Sequence, residues 1–154
     1  NGGGVAEMLP QLVSILCELG LPTEWVVMGS DEPDFFVLTK RLHNMIHGEG
    51  GPALPENARE VYEEVNRINA EPLKRLMKPG DILVVHDPQP MSLATVLKEH
   101  HEIKAIWRCH IGNDVRSIEG DRAWDFLEPY LTQAHAFKAA ELCLEAQRIA
   151  LHIS

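Results

Sequence analysis

Between the turn signal Pro79-Gly80 and the polar stretch His86-Asp87-Pro88-Gln89-Pro90, the chain reads Asp81-Ile82-Leu83-Val84-Val85, the last four all apolar. Four consecutive apolar, largely β-branched residues flanked by breakers are the pattern of a strand buried on both faces, which is how strands of parallel sheets sit under helices. That strand is placed over Asp81 to Val85, and it fixes the kind of fold the rest of the chain has to complete. Lys104 to Cys109 reads as a second strand, Glu24-Trp25-Val26-Val27-Met28 as another, and Ile149 to Ile153 as a last apolar one. Between them, helical spacing is found over residues 5 to 19, Asp34 to Ile46, Met91 to Lys98, Asp121 to Leu131 and Lys138 to Gln147. Glu56 to Met77 reads as one long surface helix or as two short ones meeting near Pro72. Strands alternating with helices give an α/β fold, a parallel sheet with helices on both faces.

With 154 residues the chain is one domain's length, long enough to build a core without disulfides or a structural metal. Its 14 basic against 23 acidic side chains leave a net charge of −9, and with the basic residues scattered, nucleic acid is not an expected partner. No apolar run is long enough to span a bilayer. Cys17, Cys109 and Cys143 are odd in number and lie among apolar neighbours, so they are expected as buried free thiols in a reducing, cytoplasmic compartment.

In parallel α/β sheets ligands bind beyond the carboxyl ends of the strands, which directs attention to the strand exits. One runs through His86-Asp87-Pro88-Gln89-Pro90 and another through Cys109-His110 into Gly112-Asn113-Asp114. Asp87 suits a base, an acceptor for sugar hydroxyls or a cap for the helix from Met91, and Pro88 and Pro90 stiffen its turn. His110 suits a hydrogen bond to substrate and Arg108 a charged group, or else a satisfied histidine and an ion-paired arginine. Gly2-Gly3-Gly4 before a helix offers free N–H groups to a phosphate or sugar, or is a flexible tail. His43 and His47, one helical turn apart, lack a third ligand at zinc-like spacing, so no metal is expected. His43 and Asn44 are instead expected to face a polar cleft, with His47 in the loop. No serine or cysteine stands on a nucleophile elbow.

Together these stretches resemble the trehalose synthases and trehalose phosphorylases, retaining glycosyltransferases built as two facing Rossmann-like domains, the GT-B architecture. The resemblance is carried by Asn1-Gly2-Gly3-Gly4-Val5-Ala6-Glu7-Met8-Leu9, Thr39-Lys40-Arg41-Leu42-His43-Asn44 with Gly48, and Val65-Asn66-Arg67. Val85-His86-Asp87-Pro88-Gln89-Pro90, Trp107-Arg108-Cys109-His110-Ile111 and Trp124-Asp125-Phe126-Leu127 extend it. It implies that residues 1–154 form one Rossmann-like domain, the N-terminal half of an enzyme that moves glucose from an activated donor onto glucose with retention. No cofactor is implied. Gly3 and Gly4 would lie nearest the donor phosphates, Asp87 and Gln89 would hold sugar hydroxyls, and His110 would face the reacting sugar. His43, Asn44 and Arg108 would line the same cleft. The partners implied are glucose or a nucleotide-sugar and a C-terminal nucleotide-binding domain. A half-enzyme on its own is expected to be inactive and prone to self-association.

Two positions depart from the family: Gly112 stands where synthases often place Asp, and His47 where an amide is common. In the family a strand reading like Leu-His-Val-Asn precedes the glycine triplet, and here Arg148–Ser154 looks like that strand. A circularly permuted or rejoined domain is the expectation that follows. The rival reading is a stand-alone or engineered Rossmann-like scaffold or binding module without catalysis.

Overall fold

The computed structural model describes residues 4–131 and the backbone of residues 136–138. In chain order the elements are α1 (Gly4–Glu18), α2 (Pro33–Ile46), α3 (Ala58–Leu76), β1 (Ile82–His86), α4 (Leu93–Lys98), β2 (Lys104–Arg108), α5 (Ile118–Leu131) and β3 (Ala136–Lys138). The strands form one parallel sheet in the order β1-β2-β3. The chain is therefore α/β, with the strand expected at Asp81 to Val85 shifted by one residue and α3 continuous through Pro72. The proline removes a bond to the carbonyl of Ile68, an exposed residue whose carbonyl water can serve.

Local chemistry sets the helix ends. Pro33 opens α2 with its φ already helical, and Gly20, at φ 81, stops the chain after α1 in a conformation only glycine adopts freely. Phe35, Leu38, Thr39, Leu42, Met45 and Ile46 make the buried stripe of α2. It packs with Tyr62 and Val65 of α3, Trp124 and Leu127 of α5, and Val85, Ala105 and Trp107 of the sheet. Ala70, Leu73, Leu93, Leu97 and Ile103 form a second cluster under α3 and α4. Each fully buried leucine, such as Leu42 or Leu97, contributes roughly 2 kcal/mol.

Strand parity divides the sheet. Leu83, Val85, Ala105 and Trp107 turn inward, while Ile82 and Val84 on the other face are 59% and 47% exposed. Among the described residues, helices thus cover one face. Met8, Leu12, Ile15 and Leu19 of the first helical stretch are also exposed, an apolar stripe that no layer of the described residues covers.

Several expectations are corrected. Residues 24–28 form no strand: Trp25, Val26 and Val27 are exposed, and the N–H and carbonyl of Gly29 bond the Asn69 side chain instead of a neighbouring strand. β-propensity is a fit to a paired, half-buried surface, and no described strand lies beside this run to supply one. Cys17 is exposed on α1, whereas Cys109 is buried as expected, and Cys143 lies outside the described residues. Lys138 belongs to β3 rather than opening a helix, and the remainder of that expected helix lies outside the described residues.

Ile149 to Ile153 also lie outside them. The expectation that this strand completes a circularly permuted sheet therefore rests on residues outside the described ones.

Candidate functional site at the strand exits

Asp87, the first residue past β1, has φ 63, the left-handed region that aspartate tolerates better than most side chains. Such a conformation persists where surrounding bonds impose it. The Asp87 N–H donates to the Arg108 carbonyl at 2.9 Å, and its own carbonyl accepts from Trp107 Nε1 at 2.8 Å. Its carboxylate Oδ1 accepts from the His110 N–H at 2.8 Å. Asp87 therefore binds the two strand exits together rather than capping a helix, and α4 begins at Leu93 without a side-chain cap. No hydrogen bond among the described residues occupies Oδ2.

The loop behind it is anchored from α3. The Tyr62 hydroxyl donates to the Pro88 carbonyl, and Asn66 Nδ2 donates to the Gln89 carbonyl at 3.1 Å and back to the Tyr62 carbonyl at 2.9 Å. Burial pushes the Tyr62 phenol far above its ordinary range, so it remains a donor. Gln89 is thus fixed through its backbone, while its half-buried side chain bonds to no described residue.

At the β2 exit, Cys109 Sγ bonds the Ile111 carbonyl at 3.1 Å and the ring of His110 meets that of His86. His86 Nδ1 and His110 Nε2 are 2.8 Å apart, with ring centroids at 5.1 Å and planes within 11°. Burial holds both imidazoles below the ordinary histidine value. Each also lowers through the Arg108 cation and rises through the Asp87 carboxylate, and the His110 ring lowers His86 further. Arg108 is exposed and joins no carboxylate among the described residues.

The C-terminal end of α2 closes the third side. His43 is held below its ordinary value by burial, then by His47 and Lys40, against the raising effect of Asp87 and Glu49. The rings of His43 and His47 lie 4.8 Å apart, centroid to centroid. The His47 carbonyl accepts from Asn113 Nδ2 at 2.9 Å. Gly48, at φ 82, lets the chains approach: a Cβ there would meet Asn113 Nδ2 at 3.2 Å and Ser117 Oγ at 3.3 Å.

His43, Asp87 and His110 are therefore brought together, with Arg108 at their edge and Gln89 on the same loop as Asp87. Asn44 is not. It lines a separate cavity of about 480 Å³ between α2, α3 and the loop before α3, with Asp34, Lys40 and Asn57. Gly4 opens α1 with nothing within 4 Å of where its Cβ would be, and Gly3 lies outside the described residues.

His86, Tyr62 and Asn66 were not singled out for a role by the sequence. Nor was Arg41, which donates to the Glu49 and Pro52 carbonyls at 2.8 and 2.9 Å and to Glu119 Oε2 at 2.7 Å, pinning the loop after α2 to α5. Strand parity alone carries a signal for His86, because alternation puts residue 86 on the same face as Arg108.

One carboxylate and three imidazoles weighted toward neutrality, at one rim, offer acceptors and donors to hydroxyl groups. Among the described residues the cations that act on these groups are Arg108, on His86 and His110, and Lys40, on His43, a sparse cradle for a diphosphate. No group of three or more potential metal ligands occurs among the described residues, and none of the described helices is long and apolar enough to cross a membrane.

A family profile described as "Trehalose synthase, N-terminal domain" matches residues 1–141. A trehalose synthase of Rubrobacter xylanophilus is 40% identical over 136 residues, 88% of this chain and 32% of the relative. One from Thermococcus litoralis is 35% identical over 131 residues, 84% of this chain and 30% of the relative. A trehalose phosphorylase of Pleurotus pulmonarius is 27% identical over 140 residues, 82% of this chain and 19% of that protein. The chain spans about a third of the length of the synthases it matches.

Proposed function

We propose, from the premise that this chain belongs to the family of trehalose synthase N-terminal domains, that it is the sugar-binding part of a retaining glycosyltransferase. The reaction is the formation of trehalose from an activated glucose donor and glucose, and the chain is inactive alone. Asp87 and Gln89 take sugar hydroxyls, His110 faces the reacting sugar, His43 completes the rim, and Arg108 lies toward the charged part of the donor. Gly3, Gly4 and Asn44 belong to the outer reach of the same cleft. The nucleotide and phosphate clamp is supplied by a C-terminal domain in a GT-B arrangement, and the sheet is Rossmann-like, its bare face closed by a further layer. The setting is the cytoplasm.

One observation carries the reading: Asp87 is held in a left-handed conformation with its carboxylate tied to the backbone of His110, so side chains from two strand exits share one rim. An oxocarbenium-like transfer needs such acceptors around the sugar and a positive field around the leaving phosphate. The first is present here and the second is assigned to the other domain.

Calorimetric titration with glucose, trehalose and a nucleotide-sugar tests it. Binding of glucose or trehalose without turnover is the expected result. Binding of none of the three favours the scaffold reading, and turnover by the purified chain would overturn its assignment as half of a site.

A further inference from the structure

We infer that His86 is a positioning residue for His110: it locks the ring so that the Nδ1 edge alone is offered to a ligand, and the two imidazoles share a single proton site. The ligand half of this statement rests on the proposed sugar site; the pairing does not.

The geometry leaves little freedom. Ring nitrogens 2.8 Å apart require one donor and one acceptor, since two N–H groups cannot meet head to head at that distance. His110 is fixed on the backbone side by its N–H bond to Asp87 Oδ1, so the remaining freedom is the side-chain rotation that His86 removes. His86 is suited to this because it is the last residue of β1, paired in register with Arg108, and so stands on the sheet rather than on a loop. The near-parallel planes, 11° apart, define the ring orientation as well as its distance.

Either His110 is protonated on Nδ1 and accepts from His86, or it donates from Nε2 and presents a bare Nδ1. In both arrangements Nδ1 is the ring nitrogen that His86 leaves free for a ligand, and its character as donor or acceptor is set by the tautomer of His86. The charged groups facing the pair are Asp87, which favours a proton on either ring, and Arg108, which opposes it. A proton on one ring opposes a proton on the other, so the pair titrates as a unit.

The test is a ring ¹⁵N and ¹³C NMR titration of the whole chain, native and as His86→Asn and His86→Val, with glucose and trehalose binding followed on the same samples. In the native chain His110 is expected to follow two steps separated by about one pH unit or more. In His86→Val it follows one step, and sugar affinity drops about tenfold, the worth of one hydrogen bond. His86→Asn places an amide near the position of Nδ1, and it restores affinity while the titration remains single-step. A native His110 that titrates in one step and does not respond to His86→Val overturns the pairing. Should His86→Val fail to fold, the native curve and His86→Asn decide the same point. Two-step titration with no sugar bound by any form would leave the pairing standing and overturn the proposed function.

Discussion

Asp87 and the histidines around it make their energetics pH-dependent with a definite sign. Burial is the first cause that holds His43, His86 and His110 below the ordinary histidine value of about 6.5, so below about that pH the unfolded chain binds more protons than the folded one. Stability is therefore fully present above 6.5 and is lost as pH falls through the window beneath it. The melting temperature followed from pH 7.5 to 5 is expected to fall already above the carboxylate range, with a shallower fall in His86→Asn. A flat profile over that interval contradicts the burial of the three rings. Because Asp87 raises His86, His110 and His43, Asp87→Asn is expected to lower all three further while preserving the turn, which NMR titration reads directly. Tyr62→Phe leaves the buried Pro88 carbonyl without its donor and is expected to cost about 1–3 kcal/mol in urea unfolding.

The elements visible in the sequence were those whose signals are local. The apolar run of β1, the stripe of α2 and the breaker glycines at 20, 48 and 80 each report their own structure, and Asp87 and His110 are legible because they follow strands directly. Residues 24–28 misled because a β-branched run states a preference that only a neighbouring strand can realise. The role of His86 depends on the register of β1 against β2, and that of Tyr62 and Asn66 on how α3 packs over the Pro88–Pro90 loop. Neither is written in spacing along the chain. Adjacency in sequence pairs His43 with Asn44, yet neighbours on a helix point about 100° apart and here open onto different spaces. The junction of α2 with the β2 exit is testable through Gly48. Gly48→Ala adds to a left-handed residue a methyl group that would lie 3.2 Å from Asn113 Nδ2, and is expected to cost about 1–2 kcal/mol and to weaken sugar binding by displacing the 110–114 loop. Native stability in this variant would mean the loop yields freely and the rim is not fixed from that side.

At the scale of the whole molecule, the described residues cover one face of the sheet and leave Ile82, Val84 and the stripe of α1 facing solvent. Parallel sheets are ordinarily covered on both faces, so this surface is expected to seek a partner layer. Sedimentation velocity should show a concentration-dependent rise in mass, and Ile82→Lys should suppress it without lowering sugar affinity, since Ile82 stands at the opposite end of β1 from the strand exits. A monomer at all concentrations would show that the face is satisfied within the chain. The central claim is that the ends of β1, β2 and α2 form one sugar-binding rim. Backbone amide shifts mapped during a trehalose or glucose titration test it most directly. The account predicts changes clustered at residues 43–48, 86–89 and 108–114 that are abolished in Asp87→Ala. Changes confined to the Asp34, Lys40 and Asn57 cavity, or none at saturating sugar, would contradict it.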